Sequence, residues 1–284
     1  MRVILVPVAN RPECVHALNT SFWLARRLGA SVIGCHIRPH ADSDTLLPNE
    51  LGDDGHEVWR RVYQSKYTTG ATESAETVFS EMARSFDFPI RSKPSLSPAA
   101  YWEEKLGTPE KVIAINGPLA DLSIVSRPRR LGGSIARTFM HAAIDNKSRP
   151  VLVLPQRKVP SVGKRITIAW NQSEEASRAV FAALPLLRRA DSVSIISCGS
   201  ESQLGPKSGQ LRTYLKHWGV KADIQKDKKD NACEARILKV YEETDSDLLV
   251  MGAYSRSRIR ETIFGGVTEH MLNKASKTSL FIHA

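Results

Sequence analysis

The strongest constraint on the fold is a regular alternation of short apolar runs with amphipathic segments in the second half of the chain. Arg165–Trp170 and Ser192–Cys198 are apolar runs bounded by turns, which is typical of strands buried on both faces. Between them, Ser173 is a suitable N-cap for a helix whose apolar stripe runs from Val180 to Leu187. Strands that alternate with helices predict a parallel sheet with helices on both faces.

The rest of this half continues the alternation. The pattern predicts a helix at Gln210–Trp218, a strand at Lys221–Asp227, a helix at Cys233–Thr244, a strand at Asp247–Gly252, a helix from Gly265 to about Lys274 and a strand at Ser279–His283. Ligands of such sheets bind at the carboxyl ends of the strands, near the point where the strand order reverses. The residues that follow the strands are therefore the first candidates for a site.

The first half of the chain repeats the same order of elements. The repeated segments are Val3–Val8, Cys14–Leu28, Ser31–Cys35, Asp121–Val125 and Val151–Leu154. Similar residues in a similar order favour a duplication. We therefore predict two tandem domains, residues 1–157 and 164–284, each built on a five-stranded parallel sheet.

The two halves differ between their second and fourth strands, where the first half carries a long insertion, residues 39–105. Pro39–Asp54 is polar and predicts a loop, whereas His56–Phe86 predicts a long helix that Gly70 would interrupt. The helix would either cover the sheet, or act as a lid over a site or as a dimer surface. Its helical spacing is set by Val58, Trp59, Val62 and Tyr63.

Charge and composition narrow the class of protein. The 284 residues carry a formal net charge of +10, which indicates a basic surface and an anionic partner. No apolar run is long enough to span a bilayer, so we expect a cytoplasmic protein without a membrane partner. Four scattered cysteines predict reduced thiols, and no metal site is predicted. His36 and the other histidines are expected to be surface or capping residues.

A glycine-containing motif follows the predicted fourth strand of the second half. It begins at Gly252, has Ser255 three residues later, and reaches Gly265 and Gly266 after nine more residues. This spacing resembles the universal stress protein family, whose ATP-binding members carry Gly-x-x-Gly, nine residues and then Gly-Ser/Thr at this place. Ser255 and Gly266 depart from that pattern, and Asn171 stands where the family has an aspartate after the first strand.

The resemblance implies both a fold and a domain arrangement. The fold is a tandem pair of five-stranded, adenine nucleotide alpha hydrolase-like domains, which are Rossmann-like α/β domains. In tandem members of the family the terminal strands pair between the domains. Val151–Leu154 is therefore expected beside Ser279–His283, as the contact of a pseudo-dimer. Further association into a homo-oligomer is left open.

The resemblance also implies ATP or another adenine nucleotide as the ligand. Glycines that precede a helix leave backbone N–H groups available to a phosphate, and arginine matches phosphate oxygens. Solvated loop charges are the alternative explanation for the arginines. The candidate nucleotide-binding residues are Asn171, Ser173, Gly252, Ser255, Arg256, Gly265, Gly266, Val267 and Thr268. The shorter loop of the first half supplies a candidate anion-binding set, Arg127, Gly132, Gly133 and Ser134.

Three functions stay open at this point. The first is a non-enzymatic stress-response protein that binds an adenine nucleotide through the second-half motif. The second is an interaction module that binds no nucleotide, which the changes at Asn171, Ser255 and Gly266 favour. The third, a nucleic-acid-binding protein, follows from charge alone and is disfavoured, because no aromatic residues are interleaved with the basic loops. No catalytic residue stands out, and a slow ATPase is left open.

Overall fold

A computed structural model of the chain describes residues 1–9, 12–38, 69–128, 134–198, 201–227, 233–253, 266–275 and 277–284. Their contacts divide the chain into two units. The first unit comprises Met1–Arg149 and Gln156–Lys158, and the second comprises Pro150–Pro155 and Val159–Ala284. The domain bounds read from the sequence, 1–157 and 164–284, stay predictions.

The first unit alternates strands with helices. Its elements are β1 (Val3–Pro7), α1 (Pro12–Leu28), β2 (Ser31–Arg38), α2 (Thr69–Ser85), β3 (Ala100–Leu106), α3 (Pro109–Asn116), β4 (Leu122–Ser126) and α4 (Ser134–Asp145). The described strands are all parallel and lie in the order β3-β2-β1-β4. The parallel α/β architecture predicted from the alternation is confirmed.

The second unit has the same alternation with one added strand at its start. Its elements are β5 (Val151–Leu154), β6 (Arg165–Ala169), α5 (Glu174–Leu187), β7 (Ser192–Cys198), α6 (Ser208–His217), β8 (Asp223–Asp227), α7 (Cys233–Glu243), β9 (Leu248–Gly252), α8 (Gly266–Asn273) and β10 (Leu280–His283). The strands lie in the order β5-β10-β9-β6-β7-β8. In the part of the chain that the structure describes, no helix has the length and apolar character needed to cross a membrane.

Strand β5 is the exception to the parallel arrangement. It pairs antiparallel with β10, and Leu152 lies opposite Phe281. All eight residues of the two strands are buried. The expected neighbourhood of Val151–Leu154 and Ser279–His283 is therefore present as a strand pair within the second unit. That this pair serves as the contact of a pseudo-dimer stays a prediction.

The segment predicted as an insertion, residues 39–105, contains the third strand of the first unit, which the sequence pattern does not predict. β3 pairs along its whole length with β2, from Val32 opposite Ala100 to Arg38 opposite Leu106. It lies at the edge of its sheet, so its side chains need not all be apolar. Because it contains the charged residues Glu103–Lys105, its sequence lacks the continuous apolar run that marks the buried strands.

Helix α2 lies on the sheet through an aromatic cluster. The ring of Phe79 is 5.6 Å from that of Phe22 in α1 and 5.5 Å from that of Trp102 in β3. Gly34 in β2 makes room for it, because a Cβ at this position would come within 2.5 Å of the Phe79 ring. The described part of the insertion helix thus covers the sheet. Gly70 lies in the first turn of the described helix, and the residues before Thr69 lie outside the described residues, so its predicted interruption of a longer helix stays a prediction. Outside the described residues lie Val58, Trp59, Val62 and Tyr63.

In each unit an aspartate binds the amino end of a neighbouring strand: Asp121, just before β4, binds β1, and Asp247, just before β9, binds β6. In the first unit, Asp121 Oδ2 accepts hydrogen bonds from the backbone amides of Arg2, at 2.5 Å, and Val3, at 3.1 Å. In the second unit, Asp247 Oδ1 accepts from the amides of residues 163, 164 and 165 at 2.8, 3.0 and 3.1 Å. Asp247 Oδ2 also accepts from the Ser161 hydroxyl at 2.5 Å. The carboxylate of Asp247 is therefore the more heavily bonded of the two.

Replacing Asp247 by asparagine is expected to lower the free energy of unfolding by about 2 kcal/mol, because an amide N–H₂ would face donors that now meet a carboxylate. Asp121→Asn, with fewer amides to lose, is expected to cost about 1 kcal/mol. Urea unfolding followed by circular dichroism measures both. Asp245→Asn is the matched control, since Asp245 is exposed and pairs only with Arg165 among the described residues. Equal losses for Asp245→Asn and Asp247→Asn would contradict the assignment.

The thiol of Cys35 is expected to resist alkylation in the folded protein. Burial and, to a smaller extent, the nearby Glu103 carboxylate raise its pKa to about 12, and Lys105 partly opposes them. Only about one thiol in ten thousand is then ionised at pH 8. Iodoacetamide labelling with peptide mass spectrometry should modify the half-buried Cys14 and Cys233 first, and Cys35 only in urea. Equal labelling rates in native buffer would contradict this.

The same shift gives a pH dependence. The unfolded chain loses the Cys35 proton near its usual pKa of 9.0, whereas the folded chain keeps it up to about pH 12. The free energy of unfolding should therefore fall as the pH rises from 9 towards 12. Cys35→Ala should remove this part of the alkaline loss, as urea unfolding at several pH values would show.

Candidate functional site

In each unit the strand order reverses at one inner strand, β1 in the first unit and β6 in the second, which is where ligands of such sheets bind. β1 lies between β2 and β4, and β6 lies between β7 and β9. The registers agree, since Ile4 pairs with Leu122 and Ile166 pairs with Leu248. The carboxyl ends of β1 and β6 can therefore be compared position by position.

The first unit has a cleft at the carboxyl ends of β1 and β4, with a cavity volume of about 40 Å³ and an open mouth. Val8 and Ala9 line it beyond β1, Ser126 lines it at the end of β4, and Phe139 of α4 forms another wall. Among the lining side chains only Ser126 and Cys14 carry polar atoms. The cleft therefore suits a flat, weakly polar group better than a charged one.

A buried histidine fixes the residue that follows β1. His36 is 1% exposed, its Nδ1 lies 2.8 Å from the carbonyl oxygen of Val8, and its ring stacks on Trp102 with centroids 6.0 Å apart. The expectation of a surface or capping histidine is therefore wrong. The apolar run in the sequence weakens after Cys35, but the strand continues to Arg38 and takes His36 inside the sheet.

The second unit places its own side chains at the corresponding strand end. Trp170 occupies the position of Val8, is 4% exposed, and donates from Nε1 to the carbonyl oxygen of Pro206 at 2.8 Å. Asn171, the next residue, accepts at Oδ1 from the backbone amide of Ser173 at 3.2 Å. Asn171, which stands at the position of the family's aspartate, is thus bonded within a local turn. The large ring of Trp170 stands where the first unit has the smaller Val8, which lines the cleft.

The loop at residues 201–207 is fastened to this same end of β6. The amide of Ser202 donates to Gln172 Oε1 at 2.7 Å, and Gln172 Nε2 donates to the carbonyl oxygen of Ser202 at 3.0 Å. Gly205 lies so close that a Cβ there would be 2.9 Å from the Cβ of Gln172. Gln172 adopts φ 64°, which costs on the order of 1 kcal/mol and is offset by these contacts. The chain itself therefore covers the end of β6.

Two candidate nucleotide-binding residues of the second unit have structural roles. Ser173 Oγ accepts from the amide of Ala176 at 3.1 Å and so caps α5, as the sequence predicted. A Cβ at Gly252 would come 2.5 Å from that same amide nitrogen. Only glycine lets the start of α5 lie this close to the end of β9. Neither residue type requires a ligand to explain it.

The start of α8 was predicted to hold a phosphate through Gly266, Val267 and Thr268. These residues do begin the helix, and Thr268 is buried. A Cβ at Gly266 would lie 3.3 Å from the carboxylate oxygen Oε1 of Glu234 in α7. A phosphate at this helix end would therefore meet a like charge. The remaining motif residues, Ser255, Arg256 and Gly265, lie outside the described residues.

The candidate anion loop of the first unit begins beside the cleft. Arg127 directly follows Ser126 and is 3% exposed, so its guanidinium is not a solvated loop charge. Its carbonyl oxygen accepts a hydrogen bond from Gln156 Nε2. Ser134 is the first residue of α4. Gly132 and Gly133 lie outside the described residues.

Known proteins resemble this chain in sequence over part of its length and in fold over its whole length. The sequence model of the Universal stress protein family matches residues 163–283. A universal stress protein from Archaeoglobus fulgidus is 14% identical with a TM-score of 0.65, over 99% of this chain and 97% of its own. A putative universal stress protein from Pseudomonas aeruginosa is 13% identical with a TM-score of 0.56, over 100% and 93%.

A third structure, a functionally unknown protein from Pseudomonas aeruginosa PAO1, is 15% identical with a TM-score of 0.54, over 100% of this chain and 92% of its own. No curated protein sequence matches the chain. The structural likenesses extend over the whole chain and show its fold, whereas the sequence match lies in the second half. Residues 163–283 thus match the universal stress protein family, and the structural likenesses show that the whole chain shares the fold of these solved proteins.

Proposed function

We propose that the chain is a non-enzymatic stress-response protein that binds an adenine nucleotide, ATP or a related one, in its first unit. The observation that carries this proposal is the cleft at the carboxyl ends of β1 and β4. It lies where parallel sheets of this kind take their ligands. The proposal moves the nucleotide from the second-half motif to the first unit.

The base and the phosphate of the nucleotide are assigned to two neighbouring places in the first unit. Walls formed by Val8, Ala9 and Phe139 suit the flat face of an adenine ring. Helix α4 begins at Ser134 and runs for 12 residues, so its first backbone N–H groups favour a phosphate. Arg127, which directly follows β4 at the same edge of the sheet, adds positive charge near that phosphate.

The second unit supports a different role, an interaction module without nucleotide. Trp170 occupies the strand end, the loop at residues 201–207 is fastened over it, and Glu234 lies beside the start of α8. We assign nucleotide binding to the first unit only. The cytoplasmic location, a homo-oligomer and a pseudo-dimer contact through Val151–Leu154 and Ser279–His283 stay predictions.

Calorimetry with ATP, ADP and AMP tests the assignment. The wild-type protein should release or take up heat with one nucleotide per chain. Val8→Trp, which copies the residue of the second unit into the cleft wall, should weaken the affinity about tenfold or more by filling the place of the base. Ser126→Val is a second variant for the case that Val8→Trp lowers the thermal midpoint.

Trp170→Phe is the matched control at the corresponding position of the second unit. It keeps an aromatic ring of smaller size and removes the bond to Pro206, and because both changes fall in the second unit, nucleotide heats should not change. The proposal fails if the wild-type protein gives no heat and its thermal midpoint does not move in millimolar nucleotide. It fails as well if Trp170→Phe, and not Val8→Trp, weakens binding.

A further inference from the structure

Helix α5 has an outer face that lies directly opposite its buried residues. The buried residues are Ala176, Ala179, Val180, Ala183, Leu184, Leu186 and Leu187. An α-helix turns by about 100° per residue, so the residues centred on the other side share an arc of about 80°. These residues, which we call the outer face, are Glu174, Arg178, Phe181, Pro185 and Arg188. Four of them are exposed, and Pro185 is half-buried.

Phe181 lies in the middle of the outer face. It is 63% exposed, and the residues that flank it around the helix, Ser177 and Ala182, are small. A second helix can therefore approach the ring closely. Aromatic residues at the centre of a protein interface contribute much of its binding energy. The outer face thus has the centre that a contact between two helices requires.

The charges at the two ends of the outer face are opposite in sign. Glu174 precedes Phe181 by the same number of residues by which Arg188 follows it. The helical course reaches Arg188, because its amide donates to the carbonyl oxygen of Leu184 at 3.0 Å. Each charge is therefore two turns, or about 10 Å along the helix, from the ring.

Both end charges can pair with a partner. Arg188 forms no ion pair with another described residue. Arg178 Nη2 lies 3.1 Å from Glu175 Oε1, whereas its Nη1 lies 3.6 Å from Glu174 Oε2. Glu175 therefore holds the Arg178 guanidinium more closely, and the Glu174 side chain stays 90% exposed.

The corresponding helix of the first unit shows which group this face accepts. Arg26 in α1 and Arg188 lie equally far along the sequence from the matched ends of β1 and β6. Arg26 Nη2 lies 3.0 Å from Asp87 Oδ2, just beyond α2. The position thus accepts a carboxylate, which for Arg188 can come from another molecule.

We propose that two copies of the chain associate through the outer faces of α5, packed antiparallel about a two-fold axis at Phe181. The two Phe181 rings then meet at the axis. Glu174 of each copy lies opposite Arg188 of the other, because both residues are equally far from the axis. The face is therefore complementary to itself, as an interface with two-fold symmetry requires. This contact does not depend on the nucleotide site of the first unit.

Analytical ultracentrifugation of the full chain over a range of concentrations tests the proposal. We expect a monomer–dimer equilibrium with a micromolar dissociation constant, because α5 has 14 residues, is about 21 Å long and makes a small interface. Phe181→Glu should weaken the dimer at least about tenfold, since two carboxylates would meet at the axis. Circular dichroism and the thermal midpoint report whether the variant folds.

Charge reversal distinguishes this arrangement from any other contact through α5. Glu174→Arg alone and Arg188→Glu alone should each weaken the dimer about tenfold, because like charges then face each other at both ends. An equimolar mixture of the two variants should regain dimers, since every arginine at these positions then faces a glutamate. Variants that only fold poorly would not give this recovery.

Matched controls come from α6 and α7. Lys216→Glu and Glu242→Arg make the same charge changes at exposed positions and should leave the dimer unchanged. A chain that stays monomeric at the highest concentration overturns the proposal. So does a dimer that Phe181→Glu leaves intact, which would place the contact elsewhere. A mixture of the two charge-reversed variants that stays monomeric would overturn the antiparallel arrangement and with it the proposal.

Discussion

Two carboxylates hold the amino ends of the central strands, and the rest of each sheet is built outward from them. Asp121 and Asp247 stand at the start of β4 and β9 and collect the backbone amides that open β1 and β6. The backbone amides of both aspartates also donate back, to Val3 and Arg165. Because parallel strands keep their register along their length, these bonds also determine which residues meet at the far end, where the cleft lies.

The carboxyl ends of the corresponding strands β1 and β6 thus have different surroundings in the two units. In the first unit small residues follow β1 and leave space beside β4. In the second unit a tryptophan at the matching position and a loop fastened by Gln172 take up the strand end. A shared fold sets where a ligand can bind, whereas the side chains at that place decide whether there is room for it.

The buried strands could be predicted from the sequence because both of their faces are covered, which requires a continuous apolar run. β3 could not, since an edge strand tolerates Glu103 and Glu104. The glycine spacing that begins at Gly252 indicated the family whose model matches residues 163–283, but spacing does not distinguish a glycine that faces a ligand from one that lets a helix approach closely. The role of Trp170 was equally hidden, because its partner Pro206 is 36 positions away in the sequence.

The pairing of β5 with β10 bears on how the second half can be studied alone. A fragment that began at residue 164, as the repeat in the sequence suggests, would lack β5 and the hydroxyl that Ser161 donates to Asp247. It would expose the edge of β10, an apolar strand whose residues are all buried in the full chain. Such an open edge pairs readily with another copy. Association of that fragment would then reflect where the chain was cut, not a property of the protein.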